Sequence, residues 1–306
     1  MAKKRTAKAE SAALPDADSF PFVTRTSRKP RLVLPTSLAA KADKTHFADR
    51  VLNCKPSRVR LNRLASPSAV RPADIGSRTP PQPKNYLSHD WPVGDQGMTG
   101  ACVGWAVGDG LLRWHFVQRG LMHPKQLLSA RYLWMAAKEI DEFEEGRPES
   151  FIESAGTSIA AALRVARELG CALESVLPFS GGRFFEGSTD KFYKDARRLR
   201  IRDYEVLPLD PHEWKAYLSE GRGPLAVRVL VNRDFLMAKL TGRFRPTATE
   251  NAHAVSIVGF KRDENGVDRF VIRNSWGTKW GDNGFALADE EFMRGAVTEC
   301  FGVVMP

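Results

Sequence analysis

The chain has 306 residues and a formal net charge of +10, from 46 Lys and Arg against 36 Asp and Glu. That charge is uneven: residues 1–84 hold 18 basic and 6 acidic side chains, a net +12, while the remaining 222 hold 28 and 30, a net −2. A composition that is 42% hydrophobic excludes a chain disordered throughout, and no apolar run approaches the ~18–20 residues needed to span a bilayer. The start, MAKKRTAKAESAAL, lacks the ~7–15-residue apolar core of a secretory signal, so a cytoplasmic protein with no membrane partner is expected.

Residues 1–84 read as a basic, Pro-rich N-terminal extension, partly disordered, holding ten of the 19 prolines. Segment 36–52 has helical spacing, with Ser37 placed to cap and Leu38, Ala42, Phe47 and Val51 recurring on one face. Residues 55–84 read as extended chain. A folded body is expected over 85–306, long enough for one substantial core or two small subdomains. Helices are predicted from Cys102 through Trp114, over 126–139, over 157–169 with Gly170 as stop, and near 189–199. Another is punctuated by Asp210 as N-cap, Pro211 at the first position and Gly221 at the end. After Gly223 the pattern turns to strands: Leu225–Val231, then a hairpin of 254–260 and 269–273 around Asn265-Gly266, then 284–288. Helices first and strands afterwards predict an α+β fold, with a mainly helical half over about 85–205, a mainly β half over about 206–306, and a cleft between them.

The four cysteines, Cys54, Cys102, Cys171 and Cys300, lie far apart with no C-x-x-C pair. A zinc ribbon or dithiol site is therefore not suggested, and no cofactor is expected. Cys54, Cys171 and Cys300 read as small buried residues. Cys102 differs, because it follows the Gly97-Met98-Thr99-Gly100 turn and opens a predicted helix, where the positive end of the helix dipole favours a thiolate. His253 starts an apolar strand, a stiff mount for a base. Asn274 follows the neighbouring strand of the predicted hairpin, where its amide oxygen can accept the imidazole N–H. Gln96 lies on the loop feeding the Cys102 helix, placed to join the Cys102 backbone N–H in an oxyanion hole. Thiol-based acyl transfer needs these four roles: nucleophile, base, orienting group and oxyanion donors.

The combination resembles the papain-like cysteine protease family (peptidase family C1). Pro92-Val93-Gly94-Asp95-Gln96-Gly97, then Gly100-Ala101-Cys102, is similar to the family's P-V-x-x-Q-G…G-[SA]-C; His253-Ala254-Val255 with Val258-Gly259-Phe260 resembles H-A-V-x-x-V-G-[YF]; and Asn274-Ser275-Trp276-Gly277 through Trp280-Gly281 to Gly284-Phe285 resembles N-S-W-G-x-x-W-G-x-x-G-[YF]. Weaker similarities lie at Leu128–Leu133, Gly156–Phe179 and Gly223–Val227. His253 lies 151 residues and Asn274 172 residues after Cys102, at and beyond the roughly 130–150 typical of the family. The resemblance covers about 90–306 and implies a two-subdomain fold with a β-sheet or barrel-like second half. It also implies a Cys102–His253–Asn274 endopeptidase with Gln96 in the oxyanion hole, Trp276 shielding the His–Asn hydrogen bond, Trp280 packing in the same loop, and a protein or peptide substrate.

Departures from the family pattern are Thr99 where a bridged Cys is usual, Val103 where an aromatic residue follows the nucleophile, and Thr247 in the region that usually partners a Cys at the place of Cys300. They fit a cytosolic, bacterial-type member without the usual disulfides. Of the C-x-G-G segment that shapes specificity, only Gly156 stands out. Deamidase or transamidase chemistry, or an inactive binding module on the same fold, remain alternatives. For the +12 extension the expected roles are a docking arm for a protein partner or a propeptide-like cleft contact. Without aromatic interleaving or a folded recognition motif, nucleic acid is not the expected partner. His89-Asp90 reads as a solvated loop pair.

Overall fold

The computed structural model describes residues 50–57, 81–86, 91–141, 149–180, 185–246 and 251–306. Most of the 36–52 helix prediction, the His89-Asp90 pair and Thr247 lie outside them. Residues 50–52 are described and are not helical. Lys44–Pro306 constitutes one compact unit.

The N-terminal half of that unit is built on one long helical run. It starts as α1 (Cys102–Gly104), widens into a π-helical stretch (Trp105–Leu112) and closes as α2 (Arg113–Gln118). The helix predicted from Cys102 through Trp114 is thus present, with an unpredicted wide centre. π-Turns release backbone carbonyls from the ordinary ladder, and here the Ser256 hydroxyl donates to the Ala106 carbonyl at 3.0 Å. A Cβ on Gly110 would lie 1.8 Å from the Ser256 oxygen, so only glycine allows this helix to lie directly on the sheet. Against it pack α3 (Ala130–Ile140) and α4 (Ile159–Glu168). α3 begins later than predicted because Ser129 caps it, accepting from the Tyr132 N–H while its own hydroxyl donates to the Leu177 carbonyl. Gly170, at φ +93°, stops α4 as predicted. α5 (Thr189–Ala196) follows.

Among the described residues the second half is an antiparallel sheet in the order β2-β7-β3-β4-β5-β6, with β1 also on β4. Its strands are β1 (Lys84–Asn85), β2 (Asp203–Val206), β3 (Leu225–Leu230), β4 (Ala252–Arg262), β5 (Asp268–Arg273), β6 (Phe285–Asp289) and β7 (Val297–Val304). Helix α6 (Pro211–Ser219) has the predicted punctuation, Asp210 accepting from the His212 N–H. α7 (Arg233–Leu236), α8 (Glu290–Ala296), β2 and β7 were not anticipated from sequence.

Side-chain alternation along the central strands divides the core. Ala226, Ala252 and Ala254 pack toward the helical half with Cys102, Val103, Val107, Leu111 and Leu163. Val227, Val229, Val255 and Ile257 pack on the other side with Trp214, Tyr217, Phe235, Trp276 and Trp280. Small residues on the helix-facing side bring the Cys102 helix close to β4. This is the predicted α+β architecture, helices against a sheet-rich second half.

Candidate active site

Three chain segments are stitched together around Cys102. Gln96 N–H donates to the Ser275 carbonyl at 2.8 Å, and Gly277 N–H to the Gly94 carbonyl at 3.0 Å. The Gln96 loop therefore pairs edge to edge with the Asn274–Gly277 loop. Arg273, at the end of β5, reinforces the join: its guanidinium donates to the Trp91 and Pro92 carbonyls at 3.2 and 2.6 Å and forms a buried ion pair with Asp109 of the π-helical stretch. One side chain thus ties the strand before Asn274, the loop before Gln96 and the Cys102 helix.

His253 sits on β4 opposite Val229 of β3, with no solvent exposure. Its Nε2 lies 2.7 Å from Asn274 Oδ1. The Ser275 N–H also donates to that oxygen, at 2.8 Å. A backbone donor cannot face an amide NH2, so this contact fixes which way the Asn274 amide points. The oxygen faces the ring, Nε2 carries the hydrogen, and Nδ1 is left as the acceptor. Nδ1 has no hydrogen-bond partner among the described residues, and the imidazole acts electrostatically on the Cys102 thiol, favouring its thiolate. The ring is walled by aromatics: Trp276 lies over it at 4.7 Å and 31°, and Phe235 meets it edge-on at 6.0 Å. Trp280 packs against both Trp276 and Phe235.

Cys102 is buried at the first turn of α1. Its thiol is held well below the usual thiol range, first by a hydrogen bond from the Cys54 thiol, then by His253 and the Ala254 N–H, all working against burial. Cys54 is pushed the opposite way, by burial and by donating to Cys102. Burial also pushes Cys171 and Cys300 upward, and all four cysteines are free.

Gln96 is buried, with both ends of its amide in use: Oε1 accepts from the Ser275 hydroxyl at 2.7 Å and Nε2 donates to the Thr99 carbonyl at 2.8 Å. Thr99 returns a hydroxyl bond to the Gln96 carbonyl at 2.7 Å. At the position where a bridged Cys was the family expectation, a threonine closes the turn between Gln96 and Cys102 by hydrogen bonds.

The structure therefore brings Gln96, Cys102, His253, Asn274 and Trp276 to one place. It adds residues that sequence reasoning did not assign there. Ser275 lay inside a recognised motif and orients both amides. Phe235 and Arg273 carried no local signal. Cys54, read as a small buried residue, is buried in the same cluster as Cys102.

Cys54 arrives on a strap, residues 50–57, that runs across the site. Arg50 forms a bidentate pair with Asp95 at 2.5 and 3.2 Å and donates to the Gly97 carbonyl. Asn53 donates to the Ser154 carbonyl at 3.0 Å, and the Cys54 N–H donates to the carbonyl of Ala252, the residue before His253, at 3.0 Å. The Lys55 N–H reaches the Thr157 carbonyl, and its ammonium pairs with Glu149 at 2.7 Å. Arg228 donates to the Cys54 carbonyl at 3.0 Å, and Ser57 meets Glu299 through both backbone N–H and hydroxyl, at 2.7 and 2.6 Å. A Cβ on Gly156 would lie 1.5 Å from the Asn53 carbonyl oxygen, so glycine there is what admits the strap.

Comparison with known proteins points to one family. The sequence profile of the papain family cysteine proteases matches residues 90–300. A cathepsin B-like protein (CP2) of Giardia intestinalis is 43% identical over 65 residues, 21% of each chain, and germination-specific cysteine protease 1 of Arabidopsis thaliana is 30% identical over 133 residues, 43% of this chain and 34% of that one. The matched stretches thus span about a fifth to a third of these curated relatives' length. Among solved structures, xylellain, a cysteine protease from Xylella fastidiosa, superposes with a TM-score of 0.65 at 21% identity, over 84% of this chain and 97% of its own. Digestive procathepsin L 3 of Tenebrio molitor gives 0.61 at 20% identity, over 86% and 79%.

Proposed function

This chain belongs to the papain family of cysteine proteases, and on that premise we propose that it is an endopeptidase that hydrolyses peptide bonds through an acyl-enzyme on Cys102. The observation that carries the reading is the buried His253 imidazole, oriented by Asn274 Oδ1 at 2.7 Å and favouring the thiolate of the buried Cys102. Neutral His253 has its hydrogen on Nε2, so Nδ1 takes the Cys102 proton. The Cys102 thiolate attacks the substrate carbonyl. The oxyanion accepts from the Cys102 backbone N–H, which has no partner within its own helix turn, and from the amide hydrogen of Gln96 not spent on Thr99. His253 then protonates the leaving amine and activates the water that releases the acyl group. Trp276 and Phe235 keep water from the His253–Asn274 bond, which strengthens it.

The strap supports a second element of the same reading: residues 50–57 act as an intramolecular occupant of the cleft. A scissile carbonyl must come within about 3–3.5 Å of the attacking sulfur, and Cys54 packs in the same buried cluster as Cys102, its N–H bonded to the Ala252 carbonyl that flanks His253. Activity then requires the strap to leave, by opening or by cleavage. The extension over 1–84 is proposed as the arm that carries this occupant, and the free thiols together with Thr99 support a cytoplasmic setting. Among the described residues no helix is long and apolar enough to cross a membrane.

The test is purified protein against a proteome-derived peptide library read by mass spectrometry, with Cys102→Ala as control. Cys102-dependent peptide fragments are expected. Deamidated or cross-linked peptides without cleavage would replace this reading with amide-directed chemistry on the same fold. For the strap, truncation after Ser57 should raise the initial rate. Truncation at 84 would also remove the start of β1, whose neighbour Tyr86 donates to the Leu218 carbonyl at 2.6 Å and packs on Trp114.

A further inference from the structure

We infer that Cys54 is a resolving thiol for Cys102, so that the strap can be locked over the site by a reversible Cys54–Cys102 disulfide. This rests on the reading of Cys102 as the nucleophile.

The backbone of Cys54 is held on both sides: its N–H by the Ala252 carbonyl, its carbonyl by Arg228. Asn53, Lys55 and Ser57 anchor the strap at Ser154, Thr157 and Glu299. This packs the Cys54 thiol into the same buried cluster as the Cys102 thiol, both of them free, and each thiol is a principal influence on the other's titration. A space-filling role would be met by Ala or Val. A thiol held in the same buried cluster as the one thiol favoured as thiolate has a chemical use. The strap carries the second sulfur only when it is docked, so the bond can form only in the covered state, and the covered state becomes covalent. The other two cysteines, Cys171 and Cys300, are buried elsewhere and pushed away from the thiolate form.

The oxidant is a hydroperoxide. The Cys102 thiolate attacks the distal peroxide oxygen; the O–O bond breaks, an alcohol or water leaves, and Cys102 becomes the sulfenic acid. The Cys54 sulfur then attacks the Cys102 sulfur, the S–O bond breaks, and the departing hydroxide takes the Cys54 proton as water. In sum, two thiols and one hydroperoxide give one disulfide, one water, and one alcohol or second water; two electrons pass from the sulfurs to the O–O bond. A dithiol reverses the bond by exchange. With Cys54 present, Cys102 is diverted to the disulfide before the irreversible sulfinic acid forms.

The experiment treats the full chain with an equimolar amount of hydrogen peroxide, then alkylates and digests it. The wild type should lose two hydrogens in intact mass, yield a reducible cross-linked peptide pair containing Cys54 and Cys102, lose peptidase activity, and regain it with dithiothreitol. Cys54→Ser and Cys54→Ala should form no such pair, gain two oxygens at Cys102 on further peroxide, and lose activity irreversibly. Cys102→Ser should form no disulfide. The inference is overturned if the wild type reaches the sulfinic acid as readily as Cys54→Ser without a cross-link, while still cleaving peptides when reduced. If reduced wild type and Cys54→Ser both fail to cleave peptides, and Cys102 resists both peroxide and alkylation, the nucleophile reading falls and this inference with it.

Discussion

Arg50→Met isolates the strap, because Arg50 touches the Gln96 loop and nothing in the proposed relay. Its guanidinium makes two bonds to Asp95 and one to the Gly97 carbonyl. Hydrogen bonds to charged groups contribute about 1.5–3 kcal/mol when dry. The Asp95 side chain is 50% exposed, so water screens the pair and about 1 kcal/mol is the sounder figure. The bond to Gly97 adds about 1 kcal/mol. Methionine keeps the apolar stem, so the loss of docking is about 2 kcal/mol, or about a 30-fold rise in the ratio of strap-open to strap-docked chain. If the docked strap excludes substrate and is the dominant state, initial velocity on a fluorogenic peptide at low concentration should rise by up to that factor, through a fall in apparent KM at unchanged kcat. Truncation after Ser57 sets the ceiling. An initial velocity within twofold of wild type, in a variant whose circular dichroism and thermal midpoint match the parent, would refute occlusion by the strap.

Asn274→Ala should lower kcat by about 10–100-fold with little change in KM, a share of the 10²–10⁴ that positioned proton transfer supplies; stopped-time assays on the strap-truncated chain separate the two constants. The pH profile of Cys102 alkylation should begin well below the range of an ordinary thiol, since a lowered pKa keeps the thiolate populated as pH falls. Cys54→Ala removes the largest lowering influence, so the same profile, followed by mass spectrometry, should move to higher pH. His115 is buried and lowered from 6.5 to about 3 by desolvation. A group with a depressed folded pKa binds its proton first in the unfolded state, so stability should fall as pH drops from 6.5 toward 3, by up to about 4–5 kcal/mol; urea midpoints for wild type and His115→Gln across that window should converge at low pH, and parallel curves would exclude the effect.

Much of the site was readable before any coordinates. Asp210-Pro211 and Gly221 bracket α6 because caps and stops are local chemistry. The Asn274–Gly284 run stood out because a tight, aromatic, Gly-punctuated loop leaves few residues free to vary. β7 escaped because Thr298 and Glu299 break its apolar alternation, and the fold explains why they are there: both lie on the strand where Arg228 and Ser57 make their contacts. α7 was too short to show a period, yet it delivers Phe235 to His253. The widened centre of the Cys102 helix depends on Ser256, 150 residues away.

By itself, then, the amino-acid order determined the elements that rest on neighbours a few residues apart, and it singled out Gln96, Cys102, His253, Asn274 and Trp276, which the fold gathers in one place. Only the tertiary structure decided where residues 50–57 of the basic extension lie. Residues 53–57 have no helical period and no alternation to read, and the helix predicted over 36–52 is absent at 50–52. Their partners lie as much as 242 residues along the chain, where no local propensity can point, and their place over Cys102 comes from backbone edges and buried charges that exist only once the two halves have folded.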